Sequence, residues 1–444
     1  MAKPLKDVKL INEQIQKCVR CGKCRVVCPI FREMKTENYT PRGQVYLTEM
    51  VRNGKIKPSK EVAEKFGNCL MCETCSSQCP SGIKVHEYVA FGRAYMEEVM
   101  PNSIKRFIFR TVWGNNAMLG LMHSGLRLYQ ATGLRSIIQK SGLLDKEYPL
   151  LGDMTKAEGM LPKIAPKARK EIKEINPAKG QKKMRVGYFL GCAMNLFYPE
   201  IAKATVDVLT RNGCEVIVPD VKCCGRPQMA NDQLDVVSGL AEYNIKAFEN
   251  ANVDYIISDC ASCSSTLKEI EHYVEPFTGT PLEAKAKAFV KKIIDINVFL
   301  VDVLKITSEG LGKIPEVTVT YHDPCHLVRS QKVTQQPRKI LNMIPGVKFV
   351  EMAEADKCCG GAGTFGATHY ELSQKIVKHK VKGFKASNAQ TLATCCPTCT
   401  MQLTNAFKNN NMPVPITHPV ELLSRSYKAG EKEKAGQKSA NRVG

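Results

Sequence analysis

Two cysteine runs with the same spacing constrain this chain more than any other feature of its sequence. Each run has the form Cys-x-x-Cys-x-x-Cys-x-x-x-Cys-Pro, with the members Cys18, Cys21, Cys24 and Cys28, then Cys69, Cys72, Cys75 and Cys79. Thiolates at this spacing wrap [4Fe-4S] cubanes, and the fourth cysteine of each run ligates the other cluster. The spacing therefore predicts two cubanes, one on Cys18, Cys21, Cys24 and Cys79 and the other on Cys69, Cys72, Cys75 and Cys28. Such clusters carry single electrons.

Composition sets wider bounds. The 444 residues allow about three domains. The sequence shows neither the apolar segment of a signal peptide nor a run long enough to span a membrane, so we expect a cytoplasmic protein. In that setting 20 cysteines favour metal ligation over disulfides.

The net charge of +21 is unevenly distributed along the chain. Residues 101–185 carry 17 Lys or Arg against 6 Asp or Glu, and the segment from Ser424 carries 6 against 2. Basic surfaces of this kind attract an acidic partner, anionic lipid or nucleic acid. No aromatic-interleaved RNA motif or zinc-finger spacing accompanies the charge, so no nucleic acid partner is expected.

The cysteine-free segment 101–185 admits two interpretations. Helical spacing over 104–138 predicts either linker helices packed on the neighbouring domains or a basic amphipathic surface for a membrane interface. In the second case Phe107, Phe109 and Trp113 would add shallow insertion. The Lys- and Pro-rich stretch 163–183 is predicted to be a tether.

From residue 184 onward strands and helices alternate, which predicts βα units on a mostly parallel sheet. The predicted strands are 185–190, 215–219, 253–258, 317–322, 347–351 and 391–394. The predicted helices are 201–212, 234–251, 264–274, 284–305, 336–343, 371–385 and 400–408. In the first hundred residues, short helices are predicted over 43–51 and 61–66.

The cysteines of this α/β region repeat at an offset of about 135 residues, which indicates internal duplication. Each half carries one cysteine, then Cys-Cys-Gly, then Cys-x-x-Cys. The members are Cys192, Cys223, Cys224, Cys260 and Cys263 in the first half and Cys325, Cys358, Cys359, Cys396 and Cys399 in the second. Five thiolates that include an adjacent pair fit an iron–sulfur cluster better than one tetrahedral zinc. Zinc and redox-active thiols remain the alternatives for each half.

Five further residues lie near these motifs. Cys214 is predicted to be a buried apolar residue, and Cys395 is either a core residue or a substitute ligand. His322, His326 and His369 are predicted to form hydrogen bonds near the clusters rather than to ligate them.

The whole pattern resembles the iron–sulfur subunit of glycolate oxidase and the related catalytic, D-type subunit of heterodisulfide reductase. Besides the cysteines, the resemblance rests on Pro41-Arg42-Gly43, on Cys79-Pro80-Ser81-Gly82, on residues 322–325 and on residues 358–364. It implies a two-cluster ferredoxin module followed by two "CCG" repeats. In the reductase family those repeats hold non-cubane [4Fe-4S] clusters that cleave a disulfide. In the oxidase type the second repeat tends to lack the first cysteine of its Cys-x-x-Cys pair, whereas this chain keeps both Cys396 and Cys399.

The predicted fold class is therefore α plus α/β, with a helical two-[4Fe-4S] domain and two duplicated α/β CCG domains. The predicted boundaries are 1–100 for the ferredoxin-like domain, 101–183 for a basic helical linker, 184–310 and 311–424 for the CCG domains, and 425–444 for a basic tail. We predict two cubane clusters and one or two further, non-cubane clusters in the repeats.

The predicted function is electron transfer within a multi-subunit oxidoreductase. The resemblance implies an FAD-containing dehydrogenase partner for glycolate, lactate or a similar 2-hydroxy acid, and a quinone, a cytochrome b subunit or another carrier as acceptor. The alternative is a catalytic disulfide reductase acting at the CCG clusters. A location on the inner face of the cell membrane, held peripherally, is compatible with the basic segments.

Overall fold

The first hundred residues form a helical module that carries both cysteine runs. The computed structural model describes residues 17–132, 134–141, 147–148, 152–270 and 281–440. Thr40 caps the helix Pro41–Arg52 by accepting a hydrogen bond from the Gly43 amide at 3.0 Å. The helices of this module are Lys23–Val26, Pro29–Met34, Pro41–Arg52, Lys60–Gly67, Thr74–Ser77 and Val85–Val99, with a 3₁₀ turn at Glu37–Tyr39.

The basic segment that follows consists of helices and one short hairpin. The helices are Ser103–Arg106, Asn116–Ala131, Leu134–Lys140 and Met154–Gly159, with a π-helical turn at Phe107–Val112 and an antiparallel pair of strands, β1 (Glu147–Tyr148) and β2 (Gly152–Asp153). Part of its charge is used internally, because Lys105 pairs with Glu97 at 3.5 Å and Arg110 with Asp235 at 2.5 Å. Within the described parts of the chain, no helix is both long and apolar enough to cross a membrane.

The apolar surface of this segment differs from the predicted one. Phe109 is buried, and Trp113 packs on the core of the first repeat with its ring centroid 6.0 Å from that of Phe109. The expectation of a shared exposed surface is therefore wrong for these two, because they face the protein. The large apolar side chains that do face outward here are Ile104, Phe107, Leu121, Leu128, Leu134 and Ile137.

The first repeat is built on a five-stranded sheet. Its strands are β3 (Ile175–Asn176), β4 (Met184–Tyr188), β5 (Cys214–Ile217), β6 (Tyr255–Ser258) and β7 (Ile293–Asp295). They lie in the order β3-β5-β4-β6-β7, and all neighbours are parallel except β3, which runs antiparallel to β5. The longer helices are Pro199–Arg211, Leu234–Glu249, Ala261–Lys268 and Pro281–Lys292, with shorter ones at Cys192–Leu196, Arg226–Ala230 and Ile296–Val298 and a π-helical turn at Phe299–Val303.

The second repeat has a four-stranded, wholly parallel sheet. Its strands are β8 (Val317–Tyr321), β9 (Val347–Phe349), β10 (Thr391–Ala393) and β11 (Ile416–Thr417), in the order β11-β10-β8-β9. This order matches β7-β6-β4-β5 of the first repeat. Its helices are Cys325–Val328, Gln335–Met343, Phe365–Thr368, Tyr370–Ser387 and Pro397–Asn409. The predicted fold class, a helical two-cluster module followed by two duplicated α/β repeats, is confirmed.

The helix Pro419–Ala440 follows the second sheet and packs mainly on the helix Pro199–Arg211 of the first repeat, with a smaller contact to the helix Gln335–Met343 of the second. Its residue Leu423 is fully buried. Ser424 donates a hydrogen bond to Asp207 at 2.7 Å, and the Tyr427 hydroxyl donates to Asn212 at 3.1 Å. Both acceptors lie on or just after the helix Pro199–Arg211, so at least the first half of the predicted basic tail belongs to the folded body.

Two segments differ in structure from the prediction. The stretch 163–183 is not a free tether: Ala168 and Ile172 are buried in the core, and β3 pairs with β5 at the edge of the first sheet. The predicted helix 284–305 ends at Lys292, since Ile293 and Ile294 pair with β6 as strand β7. The end of the predicted helix 264–274 lies outside the described residues, and its first part is Ala261–Lys268.

Candidate iron–sulfur centres

A cavity at the outer end of the helical module is lined by four cysteines. They are Cys18, Cys21, Cys24 and Cys79, the set that the spacing assigns to one cubane. Cys21 is exposed, and Arg42 lies beside the cavity. Burial raises the pKa of the Cys24 thiol, and the neighbouring Cys18 and Cys21 thiols raise it further. We name this group site 1.

A second cavity, site 2, brings together Cys28, Cys69, Cys72 and Cys75. Burial raises the pKa of Cys28 to about 12, and the Cys72 and Cys69 thiols act in the same direction. The fourth cysteine of each run thus lies beside the first three of the other run.

The two runs wrap their cavities with the same backbone conformation. Arg20 and Gly22 have φ of 53° and 78°, and the matching residues Met71 and Glu73 have φ of 51° and 62°. These left-handed residues turn the chain sharply between successive cysteines. In the second run the turn also aims the Met71 amide at the Cys69 sulfur, 3.4 Å away.

In the first repeat, the five cysteines converge from loops that follow three parallel strands. Cys192 follows β4, Cys223 and Cys224 follow β5, and Cys260 and Cys263 follow β6. The Cys192 and Cys223 sulfurs are 3.7 Å apart. Gly225 has φ of 97°, which a residue with a side chain would adopt only under strain, and this lets the chain turn directly after the paired cysteines. We name this group site 3.

The second repeat builds site 4 in the same way, from Cys325 after β8, Cys358 and Cys359 after β9, and Cys396 and Cys399 after β10. The Cys359 and Cys399 sulfurs are 3.4 Å apart. Gly360, with φ of 81°, takes the role of Gly225.

The thiols of sites 3 and 4 share one electrostatic pattern. Hydrogen bonds with Cys223 and Cys263 lower the pKa of Cys224, and those with Cys358 and Cys399 lower the pKa of Cys359. The same bonds, together with burial, raise the pKa values of the partner thiols Cys223, Cys263, Cys358 and Cys399. Several neighbouring buried thiols cannot all ionise unaided, because each anion opposes the next in a low dielectric. Iron ions supply the missing positive charge and deprotonate the thiols that coordinate them, so the donor sets fit iron–sulfur clusters.

Sites 2, 4 and 3 follow one another through direct contacts. A hydrogen bond from Cys358 of site 4 lowers the pKa of Cys72 of site 2 to about 6. Both thiols lie in one apolar cluster with Ile30, Leu70 and Phe365. Between the repeats, the Ser262 hydroxyl lies 3.3 Å from the Cys396 sulfur of site 4, and Ser262 stands between the two cysteines Cys260 and Cys263 of site 3.

The remaining residues singled out in the sequence lie apart from the thiol groups, with one exception. Cys214 is buried in the core of the first repeat. Cys395 is fully buried, and its sulfur accepts hydrogen bonds from Tyr321 at 3.3 Å and Asn297 at 3.4 Å. His369 stacks on Phe365. The exception is His322, whose imidazole lies beside Cys359 and Cys399.

A buried polar group at the junction of the three modules was not predicted. Glu73 accepts a hydrogen bond from Ser330 at 2.8 Å, and Arg226 contacts the imidazole of His326. The nearby Glu269 has its pKa raised to about 7, chiefly by burial and then by Glu73. A weak signal exists in the sequence, since Glu73 lies inside the second cysteine run and Arg226 directly follows Cys-Cys-Gly.

Comparison with known proteins agrees with this geometry. The 4Fe-4S dicluster domain family matches residues 14–83, the cysteine-rich (CCG) domain family matches residues 186–268 and 319–404, and the glycolate oxidase iron-sulfur subunit linker region matches residues 101–161. The fold and its sites thus define an iron–sulfur electron-transfer subunit with a dicluster module and two CCG repeats.

Similar curated proteins narrow this class. The chain is 30% identical to a probable glycolate oxidase iron-sulfur subunit of Bacillus subtilis (strain 168), over 92% of this chain and 93% of the relative. The chain therefore belongs to the family of glycolate oxidase iron–sulfur subunits. It is also 31% identical to one subunit of the fumarate reductase (CoM/CoB) of Methanothermobacter marburgensis, over 84% of this chain and 75% of that protein. A lactate utilization protein A of Geobacillus sp. (strain WCH70) is 33% identical over 54% of this chain and 99% of its own length.

Two predictions made from the sequence are thereby confirmed. The chain carries multiple [4Fe-4S] clusters, and it is the electron-transfer component of an oxidoreductase complex.

Proposed function

We propose that this chain passes electrons between an FAD-containing 2-hydroxy acid dehydrogenase subunit and a quinone or cytochrome b acceptor. The observation that carries the proposal is the unbroken series of cysteine groups. Sites 1 and 2 are linked by their exchanged fourth cysteines, site 2 touches site 4 through Cys72 and Cys358, and site 4 meets site 3 at Ser262 and Cys396. In this proposal the cysteines hold the clusters, and the clusters when bound supply the one-electron chemistry.

The surface around site 1 supports docking of an acidic redox partner. Cys21 is exposed there, and Arg20 and Lys23 on either side of it are exposed as well. Two apolar side chains, Val19 and Val26, are 71% and 82% exposed beside them. A basic rim around exposed apolar residues attracts a partner of opposite charge and then offers area to bury.

The test separates this chain from its partner. We expect the iron-loaded chain alone to show no oxidation of glycolate or lactate with an artificial acceptor, because the organic step belongs to the flavin. When mixed with a reduced FAD-containing glycolate dehydrogenase subunit of a homologous complex, its clusters should be reduced at a rate that falls as salt rises. Turnover of the 2-hydroxy acid by the isolated chain would overturn the proposal.

Charge variants of the site 1 surface sharpen the test. The double variant Arg20→Glu/Lys23→Glu should slow this electron transfer about tenfold or more at low salt, since steering changes association rates by roughly 10–1000-fold. The exposed Lys408, on the helix Pro397–Asn409 of the second repeat, provides the control Lys408→Glu, which should keep the rate. Equal slowing by both changes would argue against docking at site 1.

A second candidate function is disulfide reduction. It is favoured because both repeats carry a complete set of five cysteines and their sites meet at Ser262 and Cys396. The similarity to one component of a fumarate reductase (CoM/CoB) supports the same candidate. Reduction of a small-thiol heterodisulfide by the isolated chain, supplied with a reduced viologen dye, would establish it, and the absence of any reduction would reject it.

We also propose that residues 101–141 hold the chain peripherally on an anionic membrane surface. Leu121 and Leu128, two helical turns apart on Asn116–Ala131, are 69% and 59% exposed, and Arg127 between them is exposed too. Attraction to anionic lipid is about 1 kcal/mol for each Lys or Arg near the surface, and salt screens it.

Vesicle flotation checks this proposal. We expect the full chain to float with vesicles containing anionic lipid at low salt, less at high salt, and not with neutral vesicles. The variant Leu121→Glu/Leu128→Glu should float several-fold less than the unmodified chain. Leu403 is buried in the second repeat and does not belong to this surface. Equal flotation with anionic and neutral vesicles would contradict the proposal.

A further inference from the structure

The two repeats place different side chains at one equivalent position beside their cysteines. Phe189 follows β4, and its amide donates to the Ile257 carbonyl of β6 at 2.9 Å. His322 follows β8, and its amide donates to the Ala393 carbonyl of β10 at 2.9 Å. Since β4 and β8, and β6 and β10, correspond in the two sheet orders, Phe189 and His322 occupy the same place in the fold.

The surroundings of the two rings differ. Phe189 is fully buried and stacks on Phe248, with ring centroids 6.4 Å apart. His322 is also fully buried, but a ring nitrogen lies within 4.8 Å of both the Cys359 and Cys399 sulfurs. Among the described residues neither ring nitrogen has a hydrogen-bond partner at normal geometry, and Cys359 is the thiol facing it. Because a buried imidazole needs a hydrogen-bond partner, its position beside these cysteines directs it at the sulfur atoms of site 4.

A second difference reinforces the first. Lys380 is buried on the helix Tyr370–Ser387, where its ammonium donates to the Ala355 carbonyl at 2.8 Å, in the loop that leads to Cys358 and Cys359. The corresponding helix of the first repeat, Leu234–Glu249, presents the neutral Asn244 to its own loop. The Asn244 side chain accepts from the Lys222 amide at 2.8 Å and donates to the Cys223 carbonyl at 3.2 Å.

We propose that His322 donates a hydrogen bond to a sulfur of the site 4 cluster and, together with Lys380, makes that cluster easier to reduce. Reduction adds one electron and therefore one negative charge to a cluster. A hydrogen bond to its sulfur and a nearby cation both stabilise that charge, and these are the factors that set cluster potentials. Site 3 has a phenyl ring and a neutral amide at the matching places. The inference rests on the clusters of the two repeats and not on the identity of the redox partner.

The physical consequence concerns where electrons reside. Site 4 lies between site 2 and site 3, so electrons arriving from the dicluster module reach site 4 before site 3. By raising the potential of site 4, His322 and Lys380 favour residence of the electron on that cluster. His322 thus acts on the reduction potential of the site 4 cluster.

The test compares two replacements of His322 in the iron-loaded full chain. EPR-monitored redox titration with a reduced dye measures the midpoint potential of each cluster, and iron analysis measures occupancy. His322→Phe, which reproduces the first repeat, should keep its iron and lower one potential by about 59 mV, a tenfold change in a one-electron reduction equilibrium. His322→Gln keeps an N–H donor and should lower the same potential less.

Further measurements make the outcome decisive. Lys380→Gln should lower the same potential, because it removes the cation. Pulsed EPR of the paramagnetic site 4 cluster should show a weak nitrogen coupling that disappears in His322→Phe. Unchanged potentials in His322→Phe with full iron content would overturn the proposal, and so would the loss of a whole cluster in His322→Phe, since that result makes His322 a ligand. A failure to accept electrons from a flavoprotein would leave these potentials unaffected and would count against the proposed function alone.

Discussion

Replacing Cys28 with alanine is expected to remove the cluster of Cys69, Cys72 and Cys75 and to spare the cluster of Cys18, Cys21 and Cys24. The reason is the exchange of fourth cysteines, which places Cys28 in site 2 although it belongs by sequence to the first run. Anaerobic iron analysis should show a loss of up to about four irons per chain, by the composition of one cubane. Alkylation of the folded protein followed by peptide mass spectrometry should then find Cys69, Cys72 and Cys75 newly reactive.

The matched control is Cys24→Ala, four residues earlier in the same run. It should expose Cys18, Cys21 and Cys79 to alkylation and leave site 2 protected. Because site 2 is the group that touches site 4, Cys28→Ala should also stop electrons from passing between site 1 and the repeats, whereas Cys24→Ala should not affect the link between sites 2 and 4. New reactivity at Cys18 and Cys21 in Cys28→Ala would show that the exchange is wrongly assigned.

Replacing Cys359 with alanine is expected to abolish the cluster of the second repeat. Its thiol is hydrogen-bonded with two neighbouring thiols, those of Cys358 and Cys399, and its sulfur lies 3.4 Å from that of Cys399, so its loss removes the central member of site 4. The iron content should again fall by up to about four per chain. Electrons supplied to the dicluster module should no longer reach the first repeat, which spectra of the site 3 cluster would report.

Cys395→Ser is the control for this second experiment. Cys395 adjoins Cys396 in sequence, yet its sulfur bonds to Tyr321 and Asn297 rather than to the other thiols. We expect this variant to retain its iron and its spectra, at a modest cost in stability. Stoichiometric zinc without iron in the second repeat of the unmodified chain would refute the cluster assignment itself.

Much of the fold was predictable because local pattern and tertiary structure agree. All six predicted strands of the repeats are present, and the two sheets share one strand order, as expected from the repeated cysteines. The strands that were not predicted, β1, β2, β3, β7 and β11, have two or three residues each, too few to show an alternating pattern. The apolar residues around Val290 and Ile293 fit the spacing of a helix as well as that of a strand. Residues 293–295 form strand β7 because they can pair with the free edge of β6.

Within the sites, the membership of each cysteine group was predictable from the sequence, whereas the contacts between the groups were not. The four thiol groups assemble from the cysteines that the motifs assign to them, because each motif is short and its strand or turn holds the members together. The contact of Cys72 with Cys358 joins residues far apart in sequence through the packing of two modules, and no local sequence pattern predicts it. The same holds for the outward apolar surface of residues 101–141, where periodicity shows that a stripe exists but not which side chains the first repeat covers.

The crossing of the helix Pro419–Ala440 onto the first repeat imposes an order on biogenesis. This helix is made after both repeats, and until it arrives the helix Pro199–Arg211 lacks the partner that buries its outer face. The same helix also contacts the helix Gln335–Met343 of the second repeat, so both repeats gain a packing partner only when the last helix has been made. A protease that trims the chain beyond Thr417 would therefore remove a packing partner of Pro199–Arg211 and destabilise the first repeat, although that repeat is the more distant one in sequence.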